Sequence, residues 1–241
     1  MLFALRMILL CLHFVLVGVA GLFVLFRPFN PDNSRVFGRL YSLPATRILG
    51  LRVHRHADSM LAHPRTYVVV ANHQSNYDLF VLGCAVPERC VSIGKKSLKW
   101  VPLFGQIYWL SGNVLIDRGN AFKAKQAMLT TTDTLQHKDT SIWVFAEGTR
   151  NLGRGLKPFK KGAFQMAINA GVPIIPLCTS TYKKTMKLNR WHSGDVIIKS
   201  LPAIPTAGLT MDDMPALMAR CHADMAACIA ELDAEVSRLA R

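Results

Sequence analysis

Residues 7–26 form a run with no charged side chain and a single histidine, His13. Such a run does not stay in water. It must be covered by lipid or by the rest of the chain, and about 20 apolar residues are enough to cross a bilayer core. A cleaved secretory leader has a shorter apolar stretch that ends at a small-residue site. Here the run continues through Leu22-Phe23-Val24-Leu25-Phe26 to Arg27-Pro28, so a retained membrane anchor is expected. Arg6 precedes it, and Arg27, Arg35, Arg39 and Arg47 follow. Cationic flanks favour the cytoplasmic side, which puts the C-terminal bulk there. Residues 34–51 read as a helix broken at Pro44, with Val36, Leu40 and Leu43 sharing a face, and the arginines continue through Arg52 and Arg55. A basic amphipathic segment beside an anchor suits anionic headgroups. The chain thus divides into an N-terminal transmembrane or interfacial anchor, 1–55, and a domain, 56–241.

Past the anchor, short apolar runs alternate with helical stretches. Residues 67–71, 90–93, 114–116, 141–145, 172–178 and 195–200 read as six strands. Helices are expected over 121–137, over 162–169 with Gly171 closing it, and from Asp212 or Asp213 to the end. The last carries Leu217, Cys221, Cys228 and Leu232 on its packed stripe. Alternation of this kind gives an α/β domain with a central, mostly parallel sheet flanked by helices. The six cysteines include no Cys-x-x-Cys pair. In their apolar surroundings they read as small buried hydrophobes of a reducing compartment.

The first strand leads into Asn72-His73-Gln74-Ser75-Asn76-Tyr77-Asp78. On one continuous helix His73 and Asp78 would point about 140° apart. They meet only if the chain turns between them, with Ser75 or Asn76 capping a new helix that holds Asp78 in its first turn. Other strand ends carry Lys95-Lys96, Arg118, and Glu147 through Arg150. Arginine offers phosphate paired donors and lysine a point charge, so the set reads as a phosphate site beside a general base. There is no Gly-x-Ser-x-Gly elbow, Walker loop, dinucleotide fingerprint or metal-ligand spacing. Ser75 suits a cap, so direct attack by a substrate hydroxyl is expected, without an acyl-enzyme. The formal charge of +14 asks for an anionic partner: nucleic acid, membrane surface or phosphorylated substrate. A mean hydropathy of +0.23 favours the membrane. Cations tied to strand ends beside a His-Asp pair favour an enzyme over a membrane-tethered protein that only binds anionic lipid or nucleic acid.

Block by block, these residues resemble the bacterial 1-acylglycerol-3-phosphate (lysophosphatidic acid) acyltransferases. Asn72 through Asp78 is similar to the family's Asn-His-x-x-x-x-Asp block, which implies catalytic roles for His73 and Asp78. Leu115-Ile116-Asp117-Arg118 matches the second block and implies phosphate binding by Arg118. Phe145-Ala146-Glu147-Gly148-Thr149-Arg150 resembles the third and implies substrate contacts across Glu147, Gly148, Thr149 and Arg150. Val172-Pro173-Ile174-Ile175-Pro176 matches the fourth, near the acyl-binding core, and the family's lysine fits Lys96 better than Lys95. Ala146 stands where the family has proline; it restores an N–H and loosens the turn. The resemblance implies a glycerolipid acyltransferase-like fold. It also implies acyl transfer from acyl-CoA or acyl-carrier protein to the 2-hydroxyl of lysophosphatidic acid, giving phosphatidic acid for phospholipid biosynthesis. The work would be done at a membrane, from the cytoplasmic side, with no metal, no prosthetic group and no nucleic acid. Acylation of glycerol 3-phosphate or of another lysolipid stays open, as do donor and chain length.

Overall fold

A strand buried on both faces belongs in the middle of a sheet, and the all-apolar run Val68–Ala71 lies there. The computed structural model describes residues 1–57, 60, 66–117, 132, 135 and 139–239. Among these the strands are β1 (Leu51–His56), β2 (Val68–Ala71), β3 (Cys90–Lys95), β4 (Val114–Ile116), β5 (Ser141–Phe145), β6 (Ile174–Thr179) and β7 (Gly194–Ser200). Their order in the sheet is β1-β7-β6-β2-β5-β3-β4. Strands β6, β2, β5, β3 and β4 are parallel. Strand β7 runs against β6, and β1 pairs parallel to β7. Five carboxyl ends therefore share one edge, the place where open α/β sheets hold their ligands.

The described helices are α1 (Leu2–Ala20), α2 (Asp32–Leu49), α3 (Asp78–Leu82), α4 (Phe104–Leu110), α5 (Gly162–Ala170) and α6 (Met214–Leu239). Strand alternation sends Val69, Ala71, Trp143, Ile175 and Leu177 to one face of the sheet, where they pack with residues of α1, α2 and α3. Val68, Val70, Ile142, Ile174 and Ile197 go to the other face, against α5 and α6. Helix α6 buries Leu217, Cys221, Met225, Cys228 and Leu232, a stripe at steps of three and four. Helix α5 ends at Gly171, whose φ of 65° is left-handed, the backbone position that glycine adopts without strain.

The N-terminal third departs from expectation. Residues 51–56 continue neither the helix nor a basic tail; they form the edge strand β1, so a division at 55/56 falls inside it. Helix α2 runs through Pro44 without a break. Its buried face is Phe37, Tyr41, Ala45 and Leu49, and Val36, Leu40 and Leu43 share the exposed side. Pro44 stands on that exposed side, away from the packed contacts a kink would disturb. Helix α1 has the expected length and apolarity for a bilayer, yet it lies against the domain. Arg6, expected as a free cationic flank, is 3% exposed. It donates to the carbonyls of Leu188 (2.8 Å) and Trp191 (2.7 Å) and to Ser193 Oγ (2.6 Å). Leu10 and Val17 of α1 join the core, while Ile8, Leu12, Val15, Leu16 and Val19 face outward. Cys11 is exposed and Cys84 half-buried, unlike the other four cysteines. Apart from Thr132 and Leu135, the helix expected over 121–137 lies outside the described residues.

Close backbone approach fixes α2 against the turn that follows α3. A Cβ on Gly83 would stand 2.3 Å from the Gly38 carbonyl oxygen, nearer than any side chain tolerates. Glycine at both positions lets α2 hold down the segment that begins with Asp78.

Candidate active site

Strand β2 ends at Ala71, and two residues later His73 sits over the shared carboxyl edge. The chain then turns, and Asp78 opens α3. His73 Nδ1 lies 2.5 Å from Asp78 Oδ2, with the two side chains 22% and 3% exposed. A carboxylate only accepts, so Nδ1 carries the proton and the Nε2 lone pair is left for another partner. The His73 ring stacks on Phe145 at the end of β5, 4.1 Å between centroids. The turn is tied differently from the expected cap. Asp78 Oδ2 itself accepts the backbone N–H groups of Gln74 (2.7 Å) and Ser75 (3.1 Å). Ser75 Oγ accepts the N–H of Tyr77 (3.0 Å) and lies 3.1 Å from the Tyr182 hydroxyl. The serine hydroxyl is buried and engaged there.

Glu147, expected among the substrate contacts, lies inside the protein. Its side chain is 1% exposed and faces protein on all sides. Oε1 accepts the backbone N–H of His73 (2.7 Å), Oε2 that of Lys157 (2.9 Å), and Asn151 Nδ2 bridges both oxygens at 3.1 Å. Residues 151–152 then pair with the His73 segment, Asn151 N–H to the His73 carbonyl (2.8 Å) and Leu152 N–H to that of Gln74 (3.1 Å). Both oxygens are taken by these protein donors, and the carboxylate sets where the His73 backbone lies. Gly148 takes the left-handed φ of 67° that turns the chain away from Glu147. Ala146 is buried, and its carbonyl takes the Lys160 N–H at 2.7 Å. Neighbouring bonds thus hold the turn that proline would have stiffened. Thr149 and Arg150 are exposed beyond it.

The cations expected at other strand ends are distributed as follows. Lys96 follows β3 and lies 3.3 Å from Asp117 Oδ2 at the end of β4; both Lys95 and Lys96 are exposed. Arg118 lies outside the described residues. Three residues to which the sequence reading gave no role, Asn72, Gln74 and Tyr182, hold the turn in place. The Asn72 amide pairs with Thr179 in both directions, 2.9 and 3.0 Å. Gln74 Nε2 donates to the Ser180 carbonyl (2.7 Å), and Gln74 Oε1 accepts the Tyr182 N–H (3.1 Å). Tyr182, fully buried, donates its hydroxyl to Asp78 Oδ1. The available signal was a polar run, Thr179-Ser180-Thr181-Tyr182, directly after an apolar strand of the same sheet.

A histidine with Nδ1 held by a buried carboxylate, and no partner on Nε2 among the described residues, has the arrangement that general-base chemistry on a hydroxyl needs. The Acyltransferase family matches residues 52–180, more than half of the chain. A 1-acyl-sn-glycerol-3-phosphate acyltransferase of Escherichia coli (strain K12) is 43% identical over 238 residues, covering 98% of this chain and 97% of its own length. One from Haemophilus influenzae is 43% identical over 244 residues, covering 99% of both. The crystal structure of the 1-acyl-sn-glycerophosphate (LPA) acyltransferase PlsC from Thermotoga maritima aligns with a TM-score of 0.73 at 24% identity. It covers 96% of this chain and 98% of its own, and shares the fold.

Proposed function

Since the chain belongs to the 1-acyl-sn-glycerol-3-phosphate acyltransferase family, we propose that it moves a fatty acyl chain from a thioester to the 2-hydroxyl of lysophosphatidic acid. The product is phosphatidic acid, an intermediate of phospholipid synthesis. The observation that carries the reading is the 2.5 Å contact between His73 Nδ1 and buried Asp78. His73 Nε2 takes the hydroxyl proton as the oxygen attacks the thioester carbonyl. The C–O bond forms, the C–S bond breaks, and the imidazolium returns its proton to the departing thiolate. Asp78 keeps the ring in the right tautomer and stabilises its charged form. Lys96, Arg118 and Arg150, with the exposed end of the Glu147 to Arg150 turn, hold the acceptor phosphate. Coenzyme A and acyl-carrier protein both present the required thioester. No metal or prosthetic group has a part in these steps.

The outward apolar face of α1, with Phe3 and Ile8, and of the turn of helix after it, with Leu22, Phe23 and Phe26, is the surface we assign to lipid, with the domain on the cytoplasmic side. The Arg6 contacts favour a helix resting in the membrane face against its domain over one crossing alone.

The test is acyl transfer in detergent with CoA and carrier-protein donors, against lysophosphatidic acid, glycerol 3-phosphate and other lysolipids. Thioester consumption that depends on lysophosphatidic acid and disappears in His73→Ala supports the reading. Wild-type turnover in His73→Ala, or a preference for glycerol 3-phosphate, overturns it.

A further inference from the structure

The loop after β6 carries the one side chain outside residues 72–78 whose polar atom reaches Asp78 among the described contacts. Tyr182 lies 104 positions further along the chain, and the site's own residues bring it in. Asn72 clamps Thr179, and Gln74 ties both the Ser180 carbonyl and the Tyr182 N–H. The hydrogen bonds at its hydroxyl run in one direction only. As a carboxylate, Asp78 accepts, so Tyr182 donates to Oδ1. Tyrosine has one hydroxyl proton, so Ser75 Oγ must donate to the Tyr182 oxygen across their 3.1 Å. Ser75 Oγ in turn accepts from the Tyr77 N–H. Every atom in the series is satisfied, and no other arrangement satisfies them all. Burial pushes the Tyr182 phenol well above its ordinary range, and the Asp78 charge adds to this, so the proton stays on the tyrosine.

We propose that Tyr182 is a positioning residue for acyl transfer: by holding Asp78 Oδ1 it fixes the carboxylate that orients His73 and tempers the negative charge which that carboxylate presents to the imidazole. This rests on the general-base reading of His73. Three donors converge on Oδ2: His73 Nδ1 and the N–H groups of Gln74 and Ser75. Without a partner on Oδ1 the carboxylate can rotate about its bond to Cβ and carry the imidazole with it. Each hydrogen bond to a charged group also withdraws charge from it, so removing one leaves more for the imidazolium.

The experiment is Tyr182→Phe, which keeps the buried ring and removes one oxygen. We expect kcat to fall roughly 10- to 100-fold, with KM for donor and acceptor within about twofold of wild type. The acid limb of the kcat profile moves to higher pH, because a less tempered Asp78 holds the His73 proton more firmly. Ser75→Ala is the second variant, needed if Tyr182→Phe does not fold. It leaves the bond to Asp78 but weakens its donor, and moves the same limb in the same direction by less. Wild-type kcat with an unmoved limb overturns the proposal. So does a kcat loss with no movement of the limb, which is what a packing role alone would give. His73→Ala is measured alongside. If it is inactive while Tyr182→Phe behaves as wild type, only the inference falls; if it is fully active, the general-base reading falls and the inference with it.

Discussion

Replacing Glu147 by glutamine separates a carboxylate that shapes the site from one that binds substrate. The change is isosteric, so its effect is one of hydrogen bonding. Every partner of Glu147 is a donor: the N–H groups of His73 and Lys157, and Asn151 Nδ2 on both oxygens. A glutamine side chain can present its oxygen to only one side. Its NH2 then meets either the His73 N–H at 2.7 Å or the Lys157 N–H at 2.9 Å, donor against donor. One backbone bond to a charged acceptor is lost, worth about 1.5–3 kcal/mol, and a buried N–H is left unsatisfied. We expect a loss of roughly 2–4 kcal/mol, which for a domain of this size lowers Tm by about 4–16 °C. Because the bond at risk includes that of His73, kcat should fall at least tenfold while the acceptor KM changes little. Thermal unfolding and steady-state kinetics on the same detergent preparation measure both. An unchanged Tm together with a raised acceptor KM would mean that Glu147 meets the substrate after all, and the structural argument would be wrong.

Arg6→Met should free α1 from residues 188–193, costing about 2–4 kcal/mol and opening the Trp191 loop to limited proteolysis; an unchanged digestion pattern would refute the docking. Gly83→Ala forces a Cβ to within 2.3 Å of the Gly38 carbonyl. It should destabilise by about 1–3 kcal/mol or more, and a Tm equal to wild type would contradict the packing. Asp195 supplies a pH dependence. Burial raises its carboxyl pKa, but hydrogen bonds from His54 (2.8 Å) and His192 (2.7 Å) outweigh that and hold it below its ordinary value. A depressed carboxyl stabilises above its unfolded pKa and loses that effect as pH falls through the folded one. Asp195→Asn should therefore be less stable than wild type at pH 7, with the gap closing below about pH 4. A gap that persists or widens as the pH falls below about 4 has the wrong sign.

What could be read without coordinates was whatever depends on neighbours in the chain. The apolar run at β2, the turn between His73 and Asp78, the stripe of α6 and the left-handed Gly171 are each written within a few residues. Strand β1 was missed because Leu51-Arg52-Val53-His54-Arg55-His56 is basic and, among the described residues, sits on the sheet edge and pairs only with β7. Its strand character comes from a partner more than a hundred residues away. Arg6 followed the membrane-flank rule in sequence, and only residues 188–193 reveal that it is buried. The partners of Glu147 could not be read because a carboxylate satisfied by backbone N–H groups leaves no trace in a sequence. Tyr182 was passed over for the same reason: its partner is set by sheet order, which places β6 beside β2.

The Arg6 tether also bears on how the protein is made. Its carbonyl partner at Leu188 is 182 residues further on, so at roughly 5–20 residues per second it leaves the ribosome about 10–40 s after the arginine does. For that interval α1 can pack on α2, which follows it directly, but its guanidinium lacks the carbonyls and hydroxyl that dock it. Stalling synthesis before residue 188 should trap this state, with α1 held by chaperone or lipid, and release of the full chain should clear it.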